Sequence, residues 1–188
     1  MCKMELNYTF KILLYTTYMK LLIIGHGRHG KDTVCGILKN KYNLNYESSS
    51  KICAKLFVYD QLKDKYNYTD ELECFNDRHN HREEWYNAIA DYNKEDKSRL
   101  GREIFHQYDV YCGVRNKAEF IAMHKNKVFD YAIWVDRCNH IPLESSSSMN
   151  IEKWMADYII DNNGNLTDLE FNTCRLMEML LKNKKLQL

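Results

Sequence analysis

Residues 20–33 read "KLLIIGHGRHGKDT", and the fold is decided here. "KLLII" (20–24) is a short apolar run, as expected of a strand covered on both faces. Gly25 and Gly30 then bracket four residues, and Lys31 follows. Glycines permit the positive φ that turns successive backbone N–H groups inward around an anion. In "KDTVCGILKNKY" (31–42), Val34, Ile37, Leu38 and Tyr42 recur at helical spacing. A helix N-terminus therefore adds its partial positive charge at the same point. Strand, G-x-x-x-x-G-K loop and helix in this order read as a phosphate-binding loop, rather than as a turn that only joins two elements. One position departs from the usual form. Ser or Thr normally follows the lysine, but here Asp32 does and Thr33 comes one step later.

The rest of the chain alternates in the same way. "LNYE" (44–47) reads as a second strand, and the serines at 48–50 can cap a helix over "KICAKLFVYDQL", where Ile52, Leu56 and Tyr59 align. Residues 63–80 are polar and irregular and are expected to form a loop or cover. "HREEWYNAIADYN" and "KSRLGREIF" return to helical spacing, through Trp85, Ala88, Ile89 and Tyr92 and then through Leu100 and Ile104. "YDVYCGVR" (108–115) reads as a third strand, "NKAEFIAMHKN" as a short helix, "FDYAIWVD" (129–136) as a buried strand and "ADYIIDNNGN" as a fifth. The last helix is expected to open with a capping box of Thr167 and Glu170 and to bury Leu169, Leu176 and Leu180. The pattern predicts an α/β fold: about five parallel strands with helices on both faces. Ligands of such sheets gather at the carboxyl ends of the strands, where the glycine loop, Arg115, Asp136 and Arg137 all fall.

Composition narrows the function classes. A length of 188 residues suits one domain, with or without a small insertion. The formal net charge of +1 supplies no bulk basic field for nucleic acid. Seven scattered cysteines include no C-x-x-C pair, which favours free thiols in a reducing cytoplasm over a zinc or disulfide site. "HNH" (79–81) lacks arranged acidic or cysteine partners and reads as surface or satisfied histidine. Residues 1–18 are expected to be an extension outside the core, with Met19 as the natural start. Their apolar run is interrupted by Lys11 and is too short for a membrane span, and no secretory cleavage site follows. The domain is expected over 19–188.

Each candidate residue has a chemistry. Gly25, His26, Gly27, Arg28, His29, Gly30, Lys31, Asp32 and Thr33 form the expected ATP-binding loop. Lys31 would reach the β- and γ-phosphates and follow the charge as it moves. Thr33 can supply a hydroxyl to Mg²⁺, and Asp32 can contact the metal through water or simply cap the helix. Asp136, ending "IWVD", is a second candidate for the metal shell, or a turn cap. Arg115 follows a strand-end glycine and can clamp a phosphate bidentately, or form a surface ion pair. Arg82 precedes Trp85 by one helical turn, so the pair can hold a phosphate and stack a base; a Trp on a helical face can equally be core. Arg137 can lie over the ATP phosphates, and the polar segment 137–150 reads as a lid.

"MKLLIIGHGRHGKDT", "NHREEWYNAI", "YCGVRNKAEF", "IWVDR" and "DYIIDNNGNL" together resemble bacteriophage deoxynucleoside monophosphate kinases, over most of residues 19–170. The "GKDT" form is familiar in that family. Cys112 stands where related adenylate-kinase-like enzymes carry the acid of an Asp-Gly-x-x-Arg turn, which weakens any metal role for that strand end. The resemblance implies a P-loop kinase three-layer sandwich with a small lid and a nucleotide-binding insertion. It also implies Mg²⁺-dependent transfer of the ATP γ-phosphoryl group to a dNMP, in the host cytoplasm if the protein is phage-encoded. Lys31, Arg115 and Arg137 would be catalytic, and Arg82, Trp85 and Arg115 would bind substrate. The expected partners are ATP and dNMP, with no nucleic acid or membrane. The oligomeric state is open, a homodimer being the candidate.

Overall fold

The protein is described by a computed structural model over residues 19–146 and 148–185. The expected extension 1–18 lies outside these. Four parallel strands form one sheet: β1 (Leu21–Ile24), β2 (Val110–Cys112), β3 (Tyr131–Asp136) and β4 (Tyr158–Asp161), in the order β2-β1-β3-β4. Every residue of β1 and β2 is buried, which is why these segments read as unbroken apolar runs.

Side chains alternate across β1, and the core divides accordingly. Leu21 and Ile23 join Val110, Cys112, Ile133, Val135 and Ile160 on one face. That face is covered by α1 (Lys31–Tyr42), through Val34, Cys35 and Leu38, and by α8 (Leu166–Lys185), through Leu169, Leu176 and Leu180. Leu22 and Ile24 join Tyr111, Ala132 and Trp134 on the other. Six further helices carry its cover: α2 (Ser49–Cys53), α3 (Tyr59–Tyr66), α4 (Glu71–Asp77), α5 (Arg82–Tyr92), α6 (Arg99–Gln107) and α7 (Lys117–Lys125). A π turn, Ala54–Val58, joins α2 to α3. Helices on both faces of a parallel sheet make the expected α/β architecture. Among the described residues no helix is long and apolar enough to cross a membrane.

Three expectations need correction. Residues 44–47 do not form a strand: only Tyr46 makes a parallel bridge, to Val110. Only Leu44 is buried, and the Asn45 backbone bonds to Asp109 and Val110 at the turn before β2, so a fifth strand shrinks to one contact. Residues 63–80 are largely helical. Asn67, at φ 55°, ends α3, and Asp70 starts α4 by accepting the Glu73 N–H at 2.8 Å. The buried anchors Leu62, Tyr68 and Cys74 are six apart, a spacing that signals no helix. The cap of α8 is Asn165, whose Oδ1 accepts from Thr167 and Asp168 N–H, while Asp168 accepts from Asn165 N–H. The capping box thus begins two residues before the expected one.

The chain leaves β1 toward β2 on one side and reaches β3 on the other, so a crevice opens at the carboxyl ends of β1 and β3. Gly25 closes its floor, with φ at 142° and an added Cβ lying 2.6 Å from the Val135 carbonyl oxygen. That neighbour is backbone of a central strand and has no room to yield. Gly25→Ala should therefore lower unfolding stability by roughly 2–4 kcal/mol, summing backbone strain and steric conflict. Calorimetric unfolding tests this, and an unchanged midpoint would show that the crevice floor is not tightly packed.

Candidate functional site

The loop 25–30 has the backbone that its glycines suggested. Gly25, Arg28 and Gly30 all have positive φ, at 142°, 64° and 92°. Gly30 caps α1 and its carbonyl accepts the Val34 N–H. A side chain at Gly30 would collide with Asn162 Nδ2, which instead donates to the His29 carbonyl at 2.9 Å. The loop is thus braced from behind by the segment after β4.

Lys31 bends over its own loop and donates to the His26 carbonyl at 2.7 Å. Burial pulls its pKa down, and Arg115 adds to that pull, while Cys112, Asp32 and Glu144 oppose it. Lys31, Asp32 and Arg115 are therefore brought into one electrostatic neighbourhood. Arg115 pairs with Glu144, Nη1 to Oε1, at 2.7 Å. Asp32 and Thr33 are exposed in the first turn of α1, and Cys112 Sγ lies 3.8 Å from Asp32 Oδ1.

The two loop histidines are held through ring hydrogen bonds. His29 is fully buried; its Nδ1 accepts from Arg137 N–H at 3.1 Å, and its Nε2 lies 3.2 Å from the Ile141 carbonyl. That carbonyl is an acceptor, so the Nε2–H tautomer is the one the site selects. His26 Nδ1 accepts from Glu144 N–H at 3.1 Å, and its ring sits edge-on to Trp134. Burial lowers the His26 pKa, and His29 adds to it. Both rings tie the loop to residues 137–144.

The remaining candidates divide. Asp136 ends β3, as expected, with Lys153 Nζ 2.5 Å from its Oδ2 and Cys138 N–H on its Oδ1. Burial would raise its pKa, but Lys153 and the Cys138 bonds hold it below the usual carboxylate value. Arg137 donates to Asn162 O at 2.7 Å and Asn162 Oδ1 at 3.1 Å, which commits its guanidinium to the turn before α8. Trp85 is core, only 5% exposed, and its indole Nε1 is buried without a hydrogen-bond partner among the described residues. Such orphan donors are rare in native proteins. Arg82 is exposed at the start of α5.

Sequence reasoning missed two residues. Arg78 stacks on Phe75 at 3.9 Å, and burial lowers its pKa while Asp32 raises it and Arg82 lowers it further. It therefore belongs to the same cationic edge as Arg82, and its position four residues before Arg82 was the available signal. Glu144 had no local signal at all, lying in the polar run "PLESSSS". No family model and no curated protein matches this chain.

Mg²⁺ carried on phosphates needs only one or two protein oxygens, the other positions being water and phosphate. Asp32 and Thr33 meet that need, since both are oxygen donors exposed beside the loop. Asp136 fits less well, because its carboxylate is already engaged by Lys153. Among the described residues no cluster of three or more His, Cys, Asp or Glu gathers as a metal site.

Proposed function

We propose that the protein is an ATP-dependent deoxynucleoside monophosphate kinase of the P-loop kind, making dNDP and ADP from dNMP and ATP for DNA precursor synthesis. The observation that carries this reading is the pairing of two cationic groups at one crevice. The first is the glycine loop with Lys31. The second is Arg115, paired with Glu144 at 2.7 Å, with Arg78 near enough to Asp32 to feel its charge. A second cationic group is what an acceptor phosphate needs to be held in line with the γ-phosphoryl group.

In this reading the loop N–H groups and Lys31 hold the ATP phosphates, and Arg115 holds the acceptor phosphate. An oxygen of that phosphate forms the new bond to the γ-phosphorus as the bond to the β-phosphate oxygen breaks and ADP leaves. The acceptor oxygen is already anionic at neutral pH, so no strong general base is required. Mg²⁺ supplies charge neutralisation when bound, and Asp32 and Thr33 are the residues that would hold it.

The test is the purified protein with Mg-ATP and each dNMP and NMP, scored for diphosphate formation. Phosphate release without any diphosphate would replace this reading with a simple ATPase. Asp32→Ser should leave a working enzyme, with turnover within about ten-fold of wild type, because it restores the usual hydroxyl ligand. Complete loss in a folded Asp32→Ser protein would assign the carboxylate its own role.

A further inference from the structure

A carboxylate of the chain itself sits in the mouth of the glycine loop. Glu144 Oε2 accepts the Gly27 N–H at 2.5 Å, and its Oε1 accepts from Arg115 at 2.7 Å. Two oxygens of one anion thus take one donor from the loop and one from the facing arginine. An ATP phosphate in the loop would need the first donor, and an acceptor phosphate the second. Gly27 leaves room for this: a Cβ there would lie 3.0 Å from Glu144 Oε1.

The segment carrying Glu144 is fastened on both sides of it. His29 Nε2 meets the Ile141 carbonyl, Glu144 N–H donates to His26, and Asn150 N–H donates to the Arg115 carbonyl at 3.2 Å. These contacts reach both the loop and Arg115, while Arg137, Asn139 and His140 tie the start of the segment to Asn162 and Asn163. Burial would raise the Glu144 pKa, but Arg115 and Gly27 N–H hold it below the usual value, and the group is an anion at neutral pH.

We propose that residues 137–146 form an autoinhibitory strap whose Glu144 carboxylate is an internal occupant of the phosphate position, so that a polyphosphate ligand binds by displacing it. This rests on the phosphate-loop reading given above. A carboxylate and a phosphate cannot share the Gly27 donor without strong like-charge repulsion. Ligand affinity is then reduced by the fraction of molecules in which the strap is latched.

The test is calorimetric binding of Mg-ATP and of inorganic tripolyphosphate to wild type, Glu144→Gln, Glu144→Ala and Lys31→Ala. Losing the competing charge-assisted bond should tighten both probes by roughly ten-fold in the Glu144 variants. Lys31→Ala should weaken both. Unchanged or weaker binding by the folded Glu144 variants, with Lys31→Ala weakened, overturns the strap and leaves the loop reading standing. Wild-type binding by Lys31→Ala overturns both. Hydrogen exchange of the wild-type protein needs no variant. Saturating tripolyphosphate should speed exchange of the Glu144 and Asn150 amides, and unchanged or slower exchange overturns the proposal.

Discussion

Lys31→Ala should fold and lose most phosphoryl transfer. The lysine side chain makes one hydrogen bond, to the His26 carbonyl, while the loop backbone is held independently by Gly30 and Asn162. The fold therefore does not depend on it. The ammonium lies in a desolvated position, shown by its lowered pKa, where an ion is worth more than in water. Removing such a contact to charge developing in the transition state costs roughly 3 kcal/mol or more, about a hundred-fold in turnover. Steady-state kinetics with Mg-ATP and a dNMP, beside a circular dichroism check of folding, measure it. A folded variant with near-wild-type turnover would remove Lys31 from the chemistry.

Arg115→Ala should lower transfer efficiency to dNMP by about one to two powers of ten, the value of one charge-assisted and bidentate bond of about 1.5–3 kcal/mol. Affinity for ATP should not fall, because the loop donors are untouched. The ion pair with Glu144 supplies a control. If Arg115 served only to position Glu144, then Glu144→Gln should damage transfer just as much. Kinetics with varied dNMP, direct ATP binding and the two variants side by side separate these cases. Equal loss of ATP binding and transfer in Arg115→Ala would move the arginine to the ATP side of the crevice.

The sheet and its glycine loop were legible because they are written locally. Leu21–Ile24 is apolar throughout, Gly25 and Gly30 are spaced for the turn, and Val34, Leu38 and Tyr42 mark a buried helical face. The strand at 44–47 was over-read because β pattern in four residues is weak against the polar bonds that Asn45 makes. The helix Glu71–Asp77 was under-read because a single Asp cap, rather than an apolar period, establishes it. At the site, strand-end positions for Arg115 and Asp136 could be placed from the sequence. Their partners could not. Glu144 reaches Arg115 across 29 residues and Gly27 across 117, and Asn162 reaches His29 across 133. Contacts at such separations are decided by how the sheet stacks, and no local spacing announces them.

Asn162, 4% exposed, is a small residue with a large consequence. Its amide group holds the His29 carbonyl while its own carbonyl oxygens hold Arg137, and Arg137 N–H in turn holds His29. The ring of contacts closes without any ligand. The entropy of arranging the loop backbone is therefore lost when the chain folds, before any ligand arrives.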